Sequence, residues 1–398
     1  MNSGAALPVS VDSAELRTAQ PAPVAAAKTA LHLAHIDGLR ALAALLVFVN
    51  HAYGQSWSGI KGELPTRIPF TWFRSTLITG HFAVTVFIAV SGFCLALPVL
   101  RGDGQLRGGT KEFFRRRARR ILPPYYAALA LCLLLIATII GEPTGSLWDV
   151  PIVVDWKAIV AHALLLQDFF ATGRINYVFW SIAVEWQIYF LFPLMVLLAR
   201  RIGVLPMAAC ALALGFALAF GLKDTRVYRA SPHYIGIFAL GVVAAYVSYS
   251  KDPFFERLRA FRHFGLLAAL ALIITLGAIP ILSPDFKATD YPLYDGGIGI
   301  FAFAALVLTS TRPKSLLTKL FSLPPLVWLG TFSYSLYLIH APILQILWQY
   351  VAMPIGLDNE VTFIGLMTVG FVVTVVASYG FFRVFERPFM STVARARA

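Results

Sequence analysis

The sequence predicts an all-α fold, a polytopic membrane helical bundle of about ten transmembrane helices with both termini in the cytoplasm. Its 398 residues are 58% hydrophobic and 13% charged, whereas soluble domains carry roughly 25% charged residues. Apolar stretches recur along the chain, each long enough to cross ~30 Å of hydrocarbon as a helix. Most of the 33 Lys and Arg residues fall in the connecting segments of one side, as is typical of the cytoplasmic side.

The domain organisation follows from the same pattern. Residues 1–33 are rich in Ala, Pro, Ser and Thr and are predicted to form a disordered cytoplasmic tail. Residues 34–390 form the predicted transmembrane domain, and residues 391–398 a short basic cytoplasmic tail. Residues 151–170 mix apolar and charged residues and predict an amphipathic helix at the membrane interface. The predicted spans lie near residues 39–56, 76–100, 121–141, 178–199, 202–222, 232–250, 264–282, 292–310, 325–350 and 361–383.

Charge and cysteine usage exclude other classes. The formal net charge is +13, but the basic residues lie in short loops between apolar runs, so membrane orientation accounts for them and nucleic-acid binding is not expected. Membrane lipids are the expected surroundings. Cys94, Cys132 and Cys210 lie in apolar stretches and are interpreted as small buried hydrophobes. Because no ligand set has metal-binding spacing, no metal is predicted.

Arg40 and His51 are the first candidate site residues, on the first predicted span. Ten residues separate them, and eleven helical steps of about 100° return to nearly the same face, with a rise of roughly 16 Å. Arg40 is therefore expected near the inner surface and His51 in the outer part, both lining a passage through the bundle. The alternative is a snorkelling arginine and a hydrogen-bonded packing histidine.

The fourth and ninth predicted spans carry further polar residues. Ser181, Glu185 and Tyr189 follow one another at helical spacing and therefore share one face. Glu185 is expected in the outer half, where it is either a catalytic or substrate-binding group or half of a structural ion pair. Tyr337 and His340 are neighbours on the ninth span, and His340 is open between packing and an active-site role.

Basic and small residues flank these spans. The run Arg115–Arg120 contains five arginines and is either a stop-transfer cluster or a binding site for a phosphorylated cytoplasmic ligand, because guanidinium groups match phosphate oxygens. Glu386 is expected to pair with this patch. Gly92 is interpreted as a close helix contact, and His81 as an interfacial rather than a catalytic residue.

Taken in order, these motifs resemble the acyltransferase-3 family of multi-span membrane acyltransferases. The matching pieces are Asp37-Gly38-Leu39-Arg40 with ten residues to His51, Ser91-Gly92-Phe93, Arg116-Arg117-Ala118-Arg119-Arg120, Trp180-Ser181 through Glu185 to Tyr189, Ser333 through Tyr337 to His340, and Glu386 before Pro388-Phe389. Each piece is common, whereas the ordered set is specific.

The resemblance implies transfer of an acyl group, by default acetyl, from acyl-CoA to a hydroxyl of an extracytoplasmic or lipid-linked carbohydrate at a bacterial-type inner membrane. Residues 34–390 would then be the acyltransferase domain, with acetyl-CoA as co-substrate. The predicted catalytic residues are His51, Glu185 and Arg40, with Glu185 orienting His51 or the acceptor. The predicted donor-binding residues are Arg116, Arg117 and Arg120, and possible acceptor or support residues are Ser181, Tyr189, Tyr337 and His340.

A transporter is the competing class. Arg40, His51 and Glu185 would then form a proton relay in a ten-helix carrier. Such carriers are built from pseudo-repeats with broken helices, and the sequence shows no repeat.

Overall fold

The computed structural model describes residue 1 and residues 33–57, 76–149, 154–170, 172, 174–223, 225–282 and 287–390, without the side chains of residues 76–79 and 288. Within these residues the chain is helical and has no β-strand. Ten of the described helices are long and apolar enough to cross a membrane, which confirms the predicted polytopic bundle. The predicted tails at 1–33 and 391–398 lie outside the described residues, apart from residues 1 and 33. The cytoplasmic location of both termini stays a prediction.

These ten helices are numbered here as the first to the tenth span. Their apolar bounds are Ala34–Ser56, Gly80–Leu100, Gly109–Ile140, Phe179–Ile202, Val204–Gly221, Arg226–Tyr249, Phe264–Leu282, Tyr291–Thr311, Ser333–Ile355 and Asn359–Phe389. The helix of the second span begins at Thr76, and the sixth span consists of the helices Arg226–Arg229 and Tyr234–Tyr249. Shorter helices connect the spans, at Trp156–Ala163, Gln167–Phe170, Pro253–Arg259, Leu316–Phe321 and Pro324–Thr331, with 3₁₀ turns at Leu147–Asp149 and Ala288–Asp290. Four π-helical turns occur in the spans: Ile136–Ile140 ends the third, Trp348–Ala352 interrupts the ninth, and Leu366–Gly370 and Phe382–Glu386 both interrupt the tenth.

Two spans begin at places that the apolar pattern did not predict. The third span starts at Gly109 rather than near residue 121, because Arg is a good helix former and Glu112 pairs with Arg115 and Arg116 one turn later. The arginine run is therefore part of a helix. The ninth span starts at Ser333 rather than near residue 325, because Phe332 leaves helical geometry (φ −123°, ψ 20°) and ends the separate helix Pro324–Thr331.

Glycines allow the central helices to approach closely. A β-carbon at Gly92 would overlap the carbonyl oxygen of Phe238, and one at Gly241 would overlap that of Ala89. The second and sixth spans therefore cross backbone to backbone, as small residues permit in membrane bundles. This is the close helix contact predicted for Gly92.

The segment predicted as one interfacial helix over residues 151–170 is broken in two. Asp155 caps the first helix by accepting a hydrogen bond from the backbone of Ala158. Leu165 then adopts a left-handed conformation (φ 54°), which ends that helix before Gln167–Phe170 begins. Residues 150–153 lie outside the described part.

Candidate active site

Two histidines join the first and ninth spans. Nδ1 of His51 lies 2.7 Å from Nε2 of His340, and the two imidazole rings are nearly parallel, with centroids 5.0 Å apart. Tyr177 packs edge-on against His51 at 4.8 Å. His340 is buried and His51 is half-buried. The structure thus brings His340, which the sequence left open between two roles, into direct contact with the predicted catalytic histidine.

The hydrogen bonds of His340 fix the protons of both rings. Its Nδ1 lies 2.9 Å from the carbonyl oxygen of Tyr337 and 3.1 Å from that of Leu336. Because a carbonyl oxygen only accepts, this Nδ1 carries the proton, and in a neutral ring Nε2 is then an acceptor. Nδ1 of His51 must donate to it, which leaves Nε2 of His51 with a free lone pair. A histidine in this tautomer can act as a general base.

The fourth span contributes one polar face to the site. The hydroxyls of Ser181 and Tyr337 lie 2.6 Å apart, and Tyr189 donates a 2.6 Å hydrogen bond to Glu185. The hydroxyl of Tyr189 also lies 3.0 Å from that of Ser91. Ser181, Glu185 and Tyr189 therefore do share the face that their spacing predicts. We call Ser181, Tyr337, Glu185 and Tyr189 the polar ladder.

Arg40 lies at the other end of the polar ladder. Its guanidinium donates to Sγ of Cys94 and to Asp37, both at 3.3 Å. Glu185 and Tyr189 lie within electrostatic reach of it. The structure thus places Glu185 with Tyr189 and Arg40, whereas His340 is the side chain that holds His51.

Arg40 and His51 therefore have different immediate neighbours, and the polar ladder connects them. The ring of Tyr337 lies 5.9 Å from that of His340, and Glu185 acts electrostatically on Tyr337. Polar groups thus continue from the imidazole pair to the guanidinium, a helical rise of roughly 16 Å.

The three arginines predicted to bind a donor have different surroundings. Arg116 donates to Glu112 at 3.2 Å and to the carbonyl oxygen of Arg107 at 2.7 Å. Arg117 lies within electrostatic reach of Cys94 and Tyr189. Among the three, Arg117 is therefore the one whose charge acts on Cys94 and Tyr189, as the charge of Arg40 does.

Arg120 forms a structural ion pair. Its guanidinium lies 2.7 Å from Oε1 of Glu386, which is fully buried. Oε2 of Glu386 accepts hydrogen bonds from the backbone nitrogen and the hydroxyl of Ser335, at 3.2 and 2.5 Å. The expected pairing of Glu386 with the basic patch is thus present, and it ties the third span to the ninth and tenth.

The family model of the acyltransferase-3 family, described as an acyltransferase domain, matches residues 33–383. The chain belongs to the acyltransferase-3 family. No solved structure matches it.

Several curated relatives resemble this acyltransferase domain. The O-acetyltransferase OatA of Staphylococcus aureus (strain NCTC 8325 / PS 47) is 25% identical over 343 residues, which is 80% of this chain and 52% of the relative. The peptidoglycan O-acetyltransferase OatA of Listeria monocytogenes (serovar 1/2a, strain ATCC BAA-679 / EGD-e) is 25% identical over 334 residues, 78% of this chain and 49% of the relative. The chain thus spans about half the length of the curated relatives it matches.

A second polar cluster of the acyltransferase domain lies between the second, sixth and eighth spans. The buried carboxylate of Asp295 accepts hydrogen bonds from His81 at 3.1 Å, from His233 at 2.9 Å and from Thr85. The ring of His81 stacks on that of Tyr291 at 3.6 Å. His81 is therefore a packed member of a hydrogen-bonded core.

Two buried titratable groups lie in the segment between the third and fourth spans. Burial lowers the pKa of His162, whose Nδ1 donates to the carbonyl oxygen of Ala158 and whose Nε2 accepts from the backbone nitrogen of Ile175. Burial raises the pKa of Asp168 to about 6, and the charge of Arg174 partly opposes that shift. Both shifts favour the neutral form, so this segment folds most stably with few charges.

In the part of the chain that the structure describes, no group of three or more His, Cys, Asp or Glu side chains could hold a metal ion. The polar groups of the site are imidazoles, hydroxyls and guanidiniums, together with the carboxylate of Glu185.

Sequence reasoning missed three members of the site. Cys94 contacts Arg40, although its apolar surroundings predicted packing alone. Gln55 lies one helical turn beyond His51, where a polar residue on the same face of an apolar helix was an available signal. Tyr177 lies just before the fourth span, and no pattern in the sequence marked it.

Proposed function

We propose that this protein transfers an acetyl group from cytoplasmic acetyl-CoA to a hydroxyl of an extracytoplasmic or lipid-linked carbohydrate, in a bacterial inner membrane. The observation that carries the proposal is the His51–His340 pair, at 2.7 Å. It holds His51 in the tautomer that leaves Nε2 free to accept a proton, at the end of a polar ladder that leads to Arg40. Family membership supports acyl transfer over the transporter alternative.

We assign the binding site of the donor, acetyl-CoA, to the end of the polar ladder at which Arg40 lies. Arg40 and Arg117 offer two guanidinium groups, and guanidiniums bind phosphate oxygens through paired hydrogen bonds. The phosphates of coenzyme A would bind there, and the pantetheine arm would extend along the polar ladder, so that the thioester carbonyl reaches His51. Glu185 would act as a positioning residue that accepts a hydrogen bond from Tyr189 and stabilises the charge of Arg40.

The proposed reaction transfers the acyl group from the sulfur of the thioester to the oxygen of the acceptor hydroxyl. Nε2 of His51 removes the proton of the acceptor hydroxyl while its oxygen attacks the thioester carbonyl carbon. The carbon–sulfur bond of the resulting tetrahedral intermediate breaks, and the leaving thiolate takes the proton from His51. Ester and free coenzyme A are the products, and no net proton is gained or lost. A route through an acetylated His51 uses the same groups in two steps.

The acceptor class rests on the relatives. The Listeria relative is named a peptidoglycan O-acetyltransferase, and a carbohydrate hydroxyl suits a neutral base such as His51. We therefore propose peptidoglycan-type glycans as the acceptors to test first.

The test uses the purified full-length chain in detergent with radiolabelled acetyl-CoA and a disaccharide–peptide fragment of peptidoglycan. We expect free coenzyme A and labelled glycan in equal amounts, and we expect His51→Ala to abolish both. The matched control is His263→Ala, which removes an exposed histidine far from the site in sequence and should leave turnover unchanged. Full acetylation by His51→Ala, or a parent protein that releases no coenzyme A with any glycan offered, would contradict the proposal.

A further inference from the structure

Two buried oxygen atoms, on residues next to His51, have no hydrogen-bond partner within the part of the chain that the structure describes. Among the described residues, neither Oε1 of Gln55 nor the hydroxyl of Tyr177 has one. Gln55 is 1% exposed and lies one helical turn beyond His51, on the same face. The ring of Tyr177 contacts that of His51 at 4.8 Å. Both residues are therefore neighbours of the proposed catalytic base, one through its ring and one along the helix.

The orientation of the Gln55 amide is set by a chain of other amides. Gln349 donates through Nε2 to the carbonyl oxygen of Ile139, so its Oε1 is the acceptor for Nε2 of Gln345. Oε1 of Gln345 then faces Gln55 and accepts from its Nε2 at 2.7 Å. Flipping the Gln55 amide would place two acceptor oxygens against each other. Its Oε1 is thus the atom left over, because each amide in the chain has one consistent assignment.

An unpaired buried polar atom costs about 1–3 kcal/mol, and native proteins seldom carry one without a reason. A ligand that supplies the missing hydrogen bonds would remove that cost. Burial raises the pKa of the Tyr177 hydroxyl, so it stays neutral and can both donate and accept. Oε1 of Gln55 only accepts. The ligand must therefore present hydrogen-bond donors, such as hydroxyl or amide N–H groups.

The position of Gln55 distinguishes the two substrates. In the proposed reaction the donor lies between Arg40 and His51, because its acyl carbon must reach Nε2. Gln55 lies about 6 Å beyond His51 along the helix, on the side away from Arg40. A group that binds Gln55 therefore approaches from the side opposite the donor.

We propose that Gln55 and Tyr177 form the subsite for the acceptor sugar, an inference that rests on the proposed acetyl transfer. One sugar hydroxyl or acetamido N–H donates to Oε1 of Gln55, and a neighbouring oxygen or hydroxyl pairs with Tyr177. The reacting hydroxyl is then presented to Nε2 of His51. The substrate class is a neutral pyranose with a hydrogen-bond donor beside the hydroxyl that is acetylated.

The decisive variant is Tyr177→Phe, which removes an oxygen that has no hydrogen-bond partner among the described residues and should fold at least as well as the parent. Its matched control is Tyr125→Phe. Tyr125 is buried in the neighbouring third span, and its hydroxyl donates at 3.0 Å to the carbonyl oxygen of His162. Deleting that satisfied hydroxyl should lower the thermal midpoint and leave sugar binding unchanged. Gln55→Leu is the second subsite variant.

Two readouts are measured on each purified full-length variant, with the disaccharide–peptide fragment of peptidoglycan and with chitotetraose as probes. Each lost hydrogen bond should raise the KM for the glycan about tenfold, while the KM for acetyl-CoA stays within about twofold. The glycan alone should also raise the thermal midpoint of the parent and of Tyr125→Phe, and lose that effect in Tyr177→Phe.

The outcomes separate this inference from the proposed function. An unchanged glycan KM and an unchanged glycan-induced shift in Tyr177→Phe would overturn the subsite. A rise in the acetyl-CoA KM alone would assign these oxygens to the pantetheine arm and would overturn it as well. A parent that never releases coenzyme A contradicts the proposed function, whereas a glycan-induced shift lost only in the subsite variants would still support the sugar site.

Discussion

Nε2 of His340 accepts a hydrogen bond from Nδ1 of His51 across 2.7 Å, and this contact sets the tautomer of the proposed catalytic base. The backbone carbonyls of Leu336 and Tyr337 hold the proton of His340 on its other nitrogen. The ninth span thus determines, through its own helical hydrogen bonds, which nitrogen of a first-span residue is basic.

The first prediction concerns this acceptor. Replacing His340 with Leu should lower kcat by about 10²-fold or more, the usual contribution of a well-oriented general base, because Nδ1 of His51 would lose its partner. Replacing it with Gln, whose amide oxygen can accept in place of Nε2, should recover part of the loss. The measurement is kcat for coenzyme A release at saturating substrates. Equal activities of the Leu and Gln variants would show that His340 merely fills space.

The second prediction assigns the donor phosphates. Arg117→Gln should raise the KM for acetyl-CoA roughly tenfold or more, since hydrogen bonds to charged groups contribute about 1.5–3 kcal/mol. The KM for the glycan should not change. Arg115→Gln is the matched control, because Arg115 is an exposed member of the same run that pairs with Glu112. If both variants bind acetyl-CoA as the parent does, Arg117 has no part in the donor site.

The helical bundle was predictable, because the number and length of the apolar stretches can be read from the sequence alone. The shared face of Ser181, Glu185 and Tyr189 was predictable for a similar reason, since helical spacing alone places them together. The contacts between different spans could not be predicted in this way. His51 and His340 are 289 positions apart, and the choice of partner depends on helix phase and depth, which one sequence does not display.

The partners of the arginines in the run Arg115–Arg120 could not be predicted from the sequence either. Arg116, Arg117 and Arg120 are chemically identical, yet Arg116 is held by Glu112, Arg117 acts electrostatically on Cys94 and Arg120 is paired with Glu386. Their directions follow from where the third span begins, and the helix starts a dozen residues before its apolar part. Glu185 was expected near His51, whereas it accepts a hydrogen bond from Tyr189 and acts electrostatically on Arg40.

The third prediction treats Arg120 and Glu386 as a structural pair. Arg120→Met alone leaves the buried carboxylate of Glu386 without its counter-charge. This should lower the free energy of unfolding by about 3–5 kcal/mol. Adding Glu386→Gln should restore part of that loss. Thermal midpoints of the two single variants and the double variant form the cycle.

The same cycle tests the earlier assignment of Arg120 to the donor site. We expect the folded Arg120→Met protein to keep its stabilisation by acetyl-CoA. A variant that is as stable as the parent but no longer stabilised by acetyl-CoA would return Arg120 to the donor site.

The fourth prediction concerns Asp168, whose pKa burial raises to about 6. A folded-state pKa above the unfolded value means that the folded protein binds more protons between the two values, so stability falls as pH rises from about 4 to about 6. Above about pH 6 Asp168 is ionised in the folded protein, and the burial of its charge lowers the free energy of unfolding by the full amount. Asp168→Asn removes the cost and should raise stability at pH 8 by roughly 1–3 kcal/mol, with little gain at pH 4.

The measurement is the thermal midpoint of parent and variant across this pH range. Asp155→Asn serves as the control, because Asp155 lies in the same segment but is exposed and caps a helix. It should bring no gain at pH 8. His162 contributes with the opposite sign in both proteins: burial lowers its pKa, so the unfolded chain binds the extra proton and stability is lost as pH falls below about 6.5. Since that contribution is common to both, it cancels in the difference. A gain from Asp168→Asn that does not vary with pH would show that the carboxylate is not the source of the cost.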